Sequence, residues 1–247
     1  MWSARLSLAW LSLLILLLVG CSELPRGQSA NSNLDSTYHA TRGQLTYVAI
    51  GASDTFGIGT NDPYTQNWAS DLTVELGPRV HLINLGIPGV LVHDALSLEV
   101  PIALDTHPDL ITIWLAVNDI VAKVPVNSYS HDLDLLVSRL QAGVPHAIIA
   151  IANVPDLAFI PRFSKLDPHA QQVLYTQMLD YNAAITAIVK RHHIILVDLS
   201  QQGFNLKNHP EYISGDGFHP NDIGYLQLAE LFYQALPGTL RREGKTG

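Results

Sequence analysis

Five short apolar runs, separated by segments with helical spacing, constrain this chain more than any other feature. Residues 45–50, 80–85, 110–115, 147–151 and 194–197 are rich in Val, Ile, Leu and Ala. Near-continuous apolar runs of this length mark strands buried on both faces, which occur in parallel sheets joined by helical crossovers. Helix-like segments lie between and after them, at residues 66–76, 92–104, 129–142, 168–191 and 220–236. In the last of these Leu226, Ala229, Phe232 and Tyr233 recur at helical spacing. The alternation predicts an α/β domain in which a five-stranded parallel sheet is covered on both faces. Loops at the carboxyl ends of its strands should then converge on one site. A length of 247 residues suits one such domain, and 47% apolar residues supply its core.

The domain is expected to occupy residues 43–247, because what precedes it reads differently. Arg5 gives a short positive start, and residues 6–19 form an apolar stretch too short to span a membrane comfortably. It ends in Leu18-Val19-Gly20-Cys21, which is similar to the lipobox of bacterial lipoproteins. That resemblance implies a signal peptide over residues 1–20, cleavage before Cys21 and lipidation of Cys21. A plain signal peptide or a short anchor helix is the alternative. Residues 21–42 are polar and small, with no apolar period, and read as a flexible tether. The expected location is extracytoplasmic, on the membrane through the lipid anchor, since two or three acyl chains hold a protein stably.

A net charge of −8 and scattered Lys and Arg argue against nucleic acid as a partner. The single cysteine allows no internal disulfide and no Cys-x-x-Cys pair. The histidines lack metal-ligand spacing, so no metal and no other cofactor is expected. His192-His193, near the end of a long predicted helix, reads as a solvated pair complementing the helix dipole.

The run 45–50 leads directly into Gly51-Ala52-Ser53-Asp54. Small residues permit a sharp turn, and a serine at the carboxyl end of a buried strand stands where α/β sheets place their ligands. Ser53 is therefore a candidate nucleophile, although the same residues compose an ordinary turn. Later loops carry Asn84-Leu85-Gly86-Ile87-Pro88-Gly89, then Ala116-Val117-Asn118-Asp119, then Ser214-Gly215-Asp216-Gly217-Phe218-His219-Pro220. A serine nucleophile needs an imidazole, and the imidazole needs a carboxylate to hold its tautomer. Asp216 and His219, three residues apart, can meet that need. Read locally, Asp216 is a turn former and His219 a residue at the mouth of the last helix, where Pro220 would take the first helical position. Asp198, just past the fifth strand, is a rival acid.

Taken together, Gly-x-Ser, a glycine, x-x-Asn-Asp and Asp-x-x-His-Pro resemble the SGNH hydrolases, also called the GDSL esterase/lipase family, over residues 45–236. The resemblance implies a three-layer α/β/α, flavodoxin-like fold and a carboxylic-ester hydrolase. It implies Ser53, His219 and Asp216 as catalytic residues, and the Ser53 N–H, the Gly89 N–H and the Asn118 amide as oxyanion donors. Gly86 is a rival to Gly89. Two positions depart from the family pattern. Ala52 replaces the aspartate of Gly-Asp-Ser, which puts the rigidity of the loop in doubt, and Ala116 replaces a glycine and could narrow the pocket. The expected substrate is a small-molecule ester, a lipid or an acylated glycan. Alternatives are a glycan O-acetyl esterase or acyltransferase, and a tethered binding protein without catalysis. Leu157, Phe159, Ile160 and Phe163, between residues 152 and 167, either cover core or line an acyl pocket.

Overall fold

The computed structural model describes residues 44–201 and 204–243; the expected signal segment, Cys21 and the whole tether lie outside them. Strands β1 (Leu45–Gly51), β2 (Val80–Asn84), β3 (Leu110–Trp114), β4 (Ile148–Ala152) and β5 (Ile195–Val197) form one parallel sheet. Their order is β2-β1-β3-β4-β5. This is the flavodoxin-like winding, and its direction reverses between β1 and β3. Each strand lies within one residue of its predicted ends. Those boundaries follow the burial: every residue of β3 and all but the first of β4 are buried.

Helices cover the sheet on both sides. One layer contains α2 (Trp68–Leu76) and α9 (Asp222–Ala235); the other contains α3 (Val92–Leu98), α4 (Val100–Asp105), α6 (Val126–Gly143) and α8 (Pro168–His192). Short helical turns follow β1 and β3, namely α1 (Ser53–Phe56) and α5 (Val117–Val121). Two more are α7 (Pro161–Ser164) and α10 (Gly238–Glu243). Among the described residues no helix is long and apolar enough to cross a membrane.

Local chemistry explains where the helices depart from the expected bounds. The predicted helix over residues 92–104 is divided at Glu99. Pro101 lacks an N–H and its ring opposes the carbonyl four residues back, so regular α geometry is interrupted there. Helix α2 starts at Trp68 because the Asn67 side chain accepts from the Ser70 N–H at 2.9 Å. Helix α9 starts at Asp222, since Asn221 caps the Ile223 and Gly224 N–H groups. Pro220 therefore sits ahead of the helix and bridges to Ile213. His192 is not a solvated residue: it bonds to Gln141 and Asp134 of α6, while His193 ends the helix in the left-handed conformation.

Trp68 joins α2 to α9 and to the sheet. It is fully buried, stacks on Phe232 with ring centroids 4.2 Å apart, and meets Trp114 edge-on. Removing it leaves a large cavity against three elements. Trp68→Ala is expected to lower unfolding stability by about 3–5 kcal/mol, read from urea denaturation of the wild type and the variant.

Candidate active site

The central strand delivers Ser53. Beyond Gly51 the backbone turns at Ala52, and Ser53 opens α1, a single helical turn closed by Gly57 at φ 108°. The Gly57 and Ile58 N–H groups return to the Ser53 carbonyl at 2.9 and 3.0 Å. Gly51 is required by this turn, because the Thr55 hydroxyl occupies the place of a Cβ. Ser53 is buried, at 7% exposure.

The loop between Ile213 and Pro220 brings the imidazole to it. Its ends are paired by the Ile213–Pro220 bridge, and the Ser214 N–H donates to the His219 carbonyl at 2.8 Å. Within the loop Asp216 folds back onto its own backbone. Its Oδ1 accepts from the Phe218 N–H at 2.8 Å, the His219 N–H at 3.0 Å and the Ser214 hydroxyl at 2.8 Å. Its Oδ2 lies 2.6 Å from His219 Nδ1, and His219 Nε2 lies 2.9 Å from Ser53 Oγ. Partial burial works to raise the Asp216 carboxyl, but the bonds from His219, Phe218 and Ser214 outweigh it and hold it down at about 2. An acceptor that acidic carries no proton at neutral pH, so Nδ1–H donates to it and Nε2 is left to accept from the Ser53 hydroxyl.

Loops after β2 and β3 make the opposite wall. The Asn118 amide donates to the Val90 carbonyl at 3.0 Å, and the Asp119 carboxyl accepts from the Val92 N–H at 3.3 Å. These two bonds strap the segment after Gly89 onto α5. Gly89 adopts φ 84° with open space where a Cβ would stand. Its N–H and that of Ser53 have no acceptor among the described residues. Gly86 is engaged otherwise: its N–H donates to Asn84 Oδ1 at 2.9 Å, and it packs on the backbone of residues 52–56.

Asp198 is held by Asn153, Ser200 and Gln201, so Asp216 is the carboxylate at His219. Among the described residues no group of three or more His, Cys, Asp or Glu is arranged to hold a metal ion. Of the apolar residues after β4, Leu157, Ile160 and Phe163 are buried and Phe159 is exposed. Leu157 and Ile160 line a slot of about 20 Å³ with Trp114, Val117, Phe218 and Asp54.

The model of the GDSL-like lipase/acylhydrolase family matches residues 49–226. This chain belongs to that family. Membership makes it an ester-hydrolysing enzyme. An arylesterase of Vibrio mimicus is 24% identical over 187 residues, covering 74% of this chain and 84% of that protein. A family 3 carbohydrate esterase of Clostridium thermocellum has a TM-score of 0.63 at 20% identity, over 81% of this chain and 98% of that one. The psychrotrophic esterase EstA of Pseudoalteromonas sp., solved with monoethylphosphonate as inhibitor, has a TM-score of 0.60 at 19% identity, over 78% and 96%. At these identities the likeness of the solved structures is one of fold.

Two acidic side chains of this GDSL-family chain were not assigned a role from the sequence. Glu99 is fully buried and bonds to Gly51. Asp54, next to Ser53, is half-buried; burial pushes its carboxyl up to about 6, against the pull of His219 and with the push of Asp216. Nothing in a single sequence reports such burial, although an acid directly after the serine was visible. Being raised, Asp54 is neutral below about pH 6 and becomes an anion above it, where it favours a charged His219. Asp54→Asn removes that anion. The acid limb of kcat/KM is expected to move to lower pH in the variant, measured by pH-rate profiles on one ester; an unmoved or raised limb would contradict the assignment.

Proposed function

We propose that Ser53 is the nucleophile of a carboxylic-ester hydrolase working through an acyl-enzyme. The unbroken set of hydrogen bonds from Ser53 through His219 to Asp216 carries this reading. In the first half-reaction Ser53 Oγ bonds to the ester carbonyl carbon as its proton passes to His219 Nε2. The carbonyl oxygen takes the negative charge, facing the free N–H groups of Ser53 and Gly89 and the second hydrogen of the Asn118 amide. His219 then gives its proton to the departing alcohol oxygen as the carbon–oxygen bond breaks. In the second half-reaction water attacks the acyl carbon, its proton goes to Nε2, and the acid leaves as Ser53 regains its hydrogen. Asp216 stays ionised throughout and orients the imidazole.

The acyl group this site would take is short. The slot beside Phe218 and Pro220 is narrow and apolar, at about 20 Å³. A small acyl group suits a slot lined by Asp54 and Phe218, the chain neighbours of Ser53 and His219. The Leu18-Val19-Gly20-Cys21 pattern supports a lipid anchor on the cell envelope, and replacement of Cys21 by Ser should release the protein from membranes.

Ser53→Ala is expected to lose turnover and fluorophosphonate labelling while unfolding at the wild-type temperature. Asn118→Ala is expected to lose on the order of 10²–10³ in kcat. Turnover of p-nitrophenyl acetate should exceed that of the octanoate; the reverse order would exclude the short-acyl reading.

A further inference from the structure

β2 ends at Asn84, opposite Ala49, whereas β1 runs on to Gly51, opposite Trp114 of β3. On the β2 side the last residue of β1 is therefore beyond the ladder. The Gly51 carbonyl still accepts from the Ile87 N–H at 3.0 Å. Its N–H meets a side chain instead: Glu99 Oε1, at 3.0 Å. Glu99 sits at the junction of α3 and α4, and is fully buried there. A buried N–H left without an acceptor is destabilising, and here the loss would fall two residues before Ser53.

We propose that Glu99 is a positioning residue for the nucleophile. Its carboxyl oxygen closes the open end of β1 and fixes the Gly51 to Ser53 turn, supplying from a helix junction the rigidity that Ala52 puts in doubt. This role rests on Ser53 being the nucleophile. The chemistry of the side chain fits it. Burial pushes the Glu99 carboxyl up to about 8 against the pull of the Gly51 N–H, so at neutral pH it is a neutral acid. Oε1 then accepts as a carbonyl oxygen, and Oε2 has no partner among the described residues. What the turn needs is thus an acceptor at that reach, not a charge. A glutamine supplies the same acceptor; an aspartate, one carbon shorter, withdraws it by about 1.5 Å.

The test compares wild type, Glu99→Gln and Glu99→Asp for kcat and KM on p-nitrophenyl acetate and for the rate of fluorophosphonate labelling. The Gln enzyme should stay within about threefold of wild type, its acceptor being intact. The Asp enzyme should lose kcat by about 10- to 100-fold at unchanged KM, the size of effect a displaced reacting group produces. An Asp variant as fast as wild type, or a folded Gln variant as slow as Asp, overturns the positioning role. A wild type that is neither active nor labelled at Ser53 would instead sink the nucleophile reading itself. If the Asp protein fails to fold, the Gly51 amide proton decides. In wild type its NMR shift should step near pH 8, away from the ranges of Asp54 at about 6 and Asp216 at about 2. The step should vanish in Glu99→Gln. A step of the same size in Glu99→Gln overturns the proposal.

Discussion

There is no room for a side chain at Gly51, and the placing of Ser53 follows from that. The Thr55 hydroxyl fills the Cβ position, and the Trp114 carbonyl closes the other side at 3.0 Å. The chain can therefore leave the central strand and enter a helical turn within two residues. Such a turn has free N–H groups at its start, and Ser53 occupies that start with its hydroxyl against His219 Nε2. A bulkier residue at 51 would lengthen the path and move the serine away from the strand end. The position at the β1/β3 switch point also places it between the loops after β2 and β3, which approach from either side.

The serine and histidine lie 166 residues apart in sequence, and their meeting depends on two loops being locked to each other. The Tyr225 hydroxyl, on α9, donates to the Ile58 carbonyl at 2.6 Å. Gly59, at φ 107°, lies against the Pro220 carbonyl and the His219 and Ser214 side chains. A Cβ there would push the histidine loop off. These contacts let a 2.9 Å bond between Nε2 and Oγ form from rigid parts, with little side-chain ordering left for the substrate to impose.

The architecture was legible because its signal is collective. Buried parallel strands show as apolar runs, and all five appear within one residue of their predicted bounds. Helix ends were less legible, since a cap such as Asn221 or Asn67 acts through one side chain. Pro101 did mark the break at Glu99, but the apolar residues on either side masked it. At the site, the residues that the family motif names, Ser53, Asp216 and His219, are those whose atoms meet. Glu99 and the raised Asp54 were not readable, because each depends on burial by residues distant in sequence. An acidic residue in an apolar helix looks like a solvated position until the fold turns it inward.

Three carboxyls around the Ser53 turn show how far one chemical group can be moved by its surroundings. Asp216, the most exposed of them, gathers three N–H or O–H donors from its own loop and the imidazole, and sits at about 2. Asp54, with Asp216 nearby and mostly apolar walls, sits at about 6. Glu99, with one N–H donor and no exposure, sits at about 8. Only the first is certain to be an anion across the neutral range, and it is the one in contact with the imidazole. The arrangement keeps a full negative charge where an imidazolium would form and removes it where a buried turn must be held. Were Glu99 ionised, it would carry an uncompensated charge in the core, with the Gly51 N–H as its one donor.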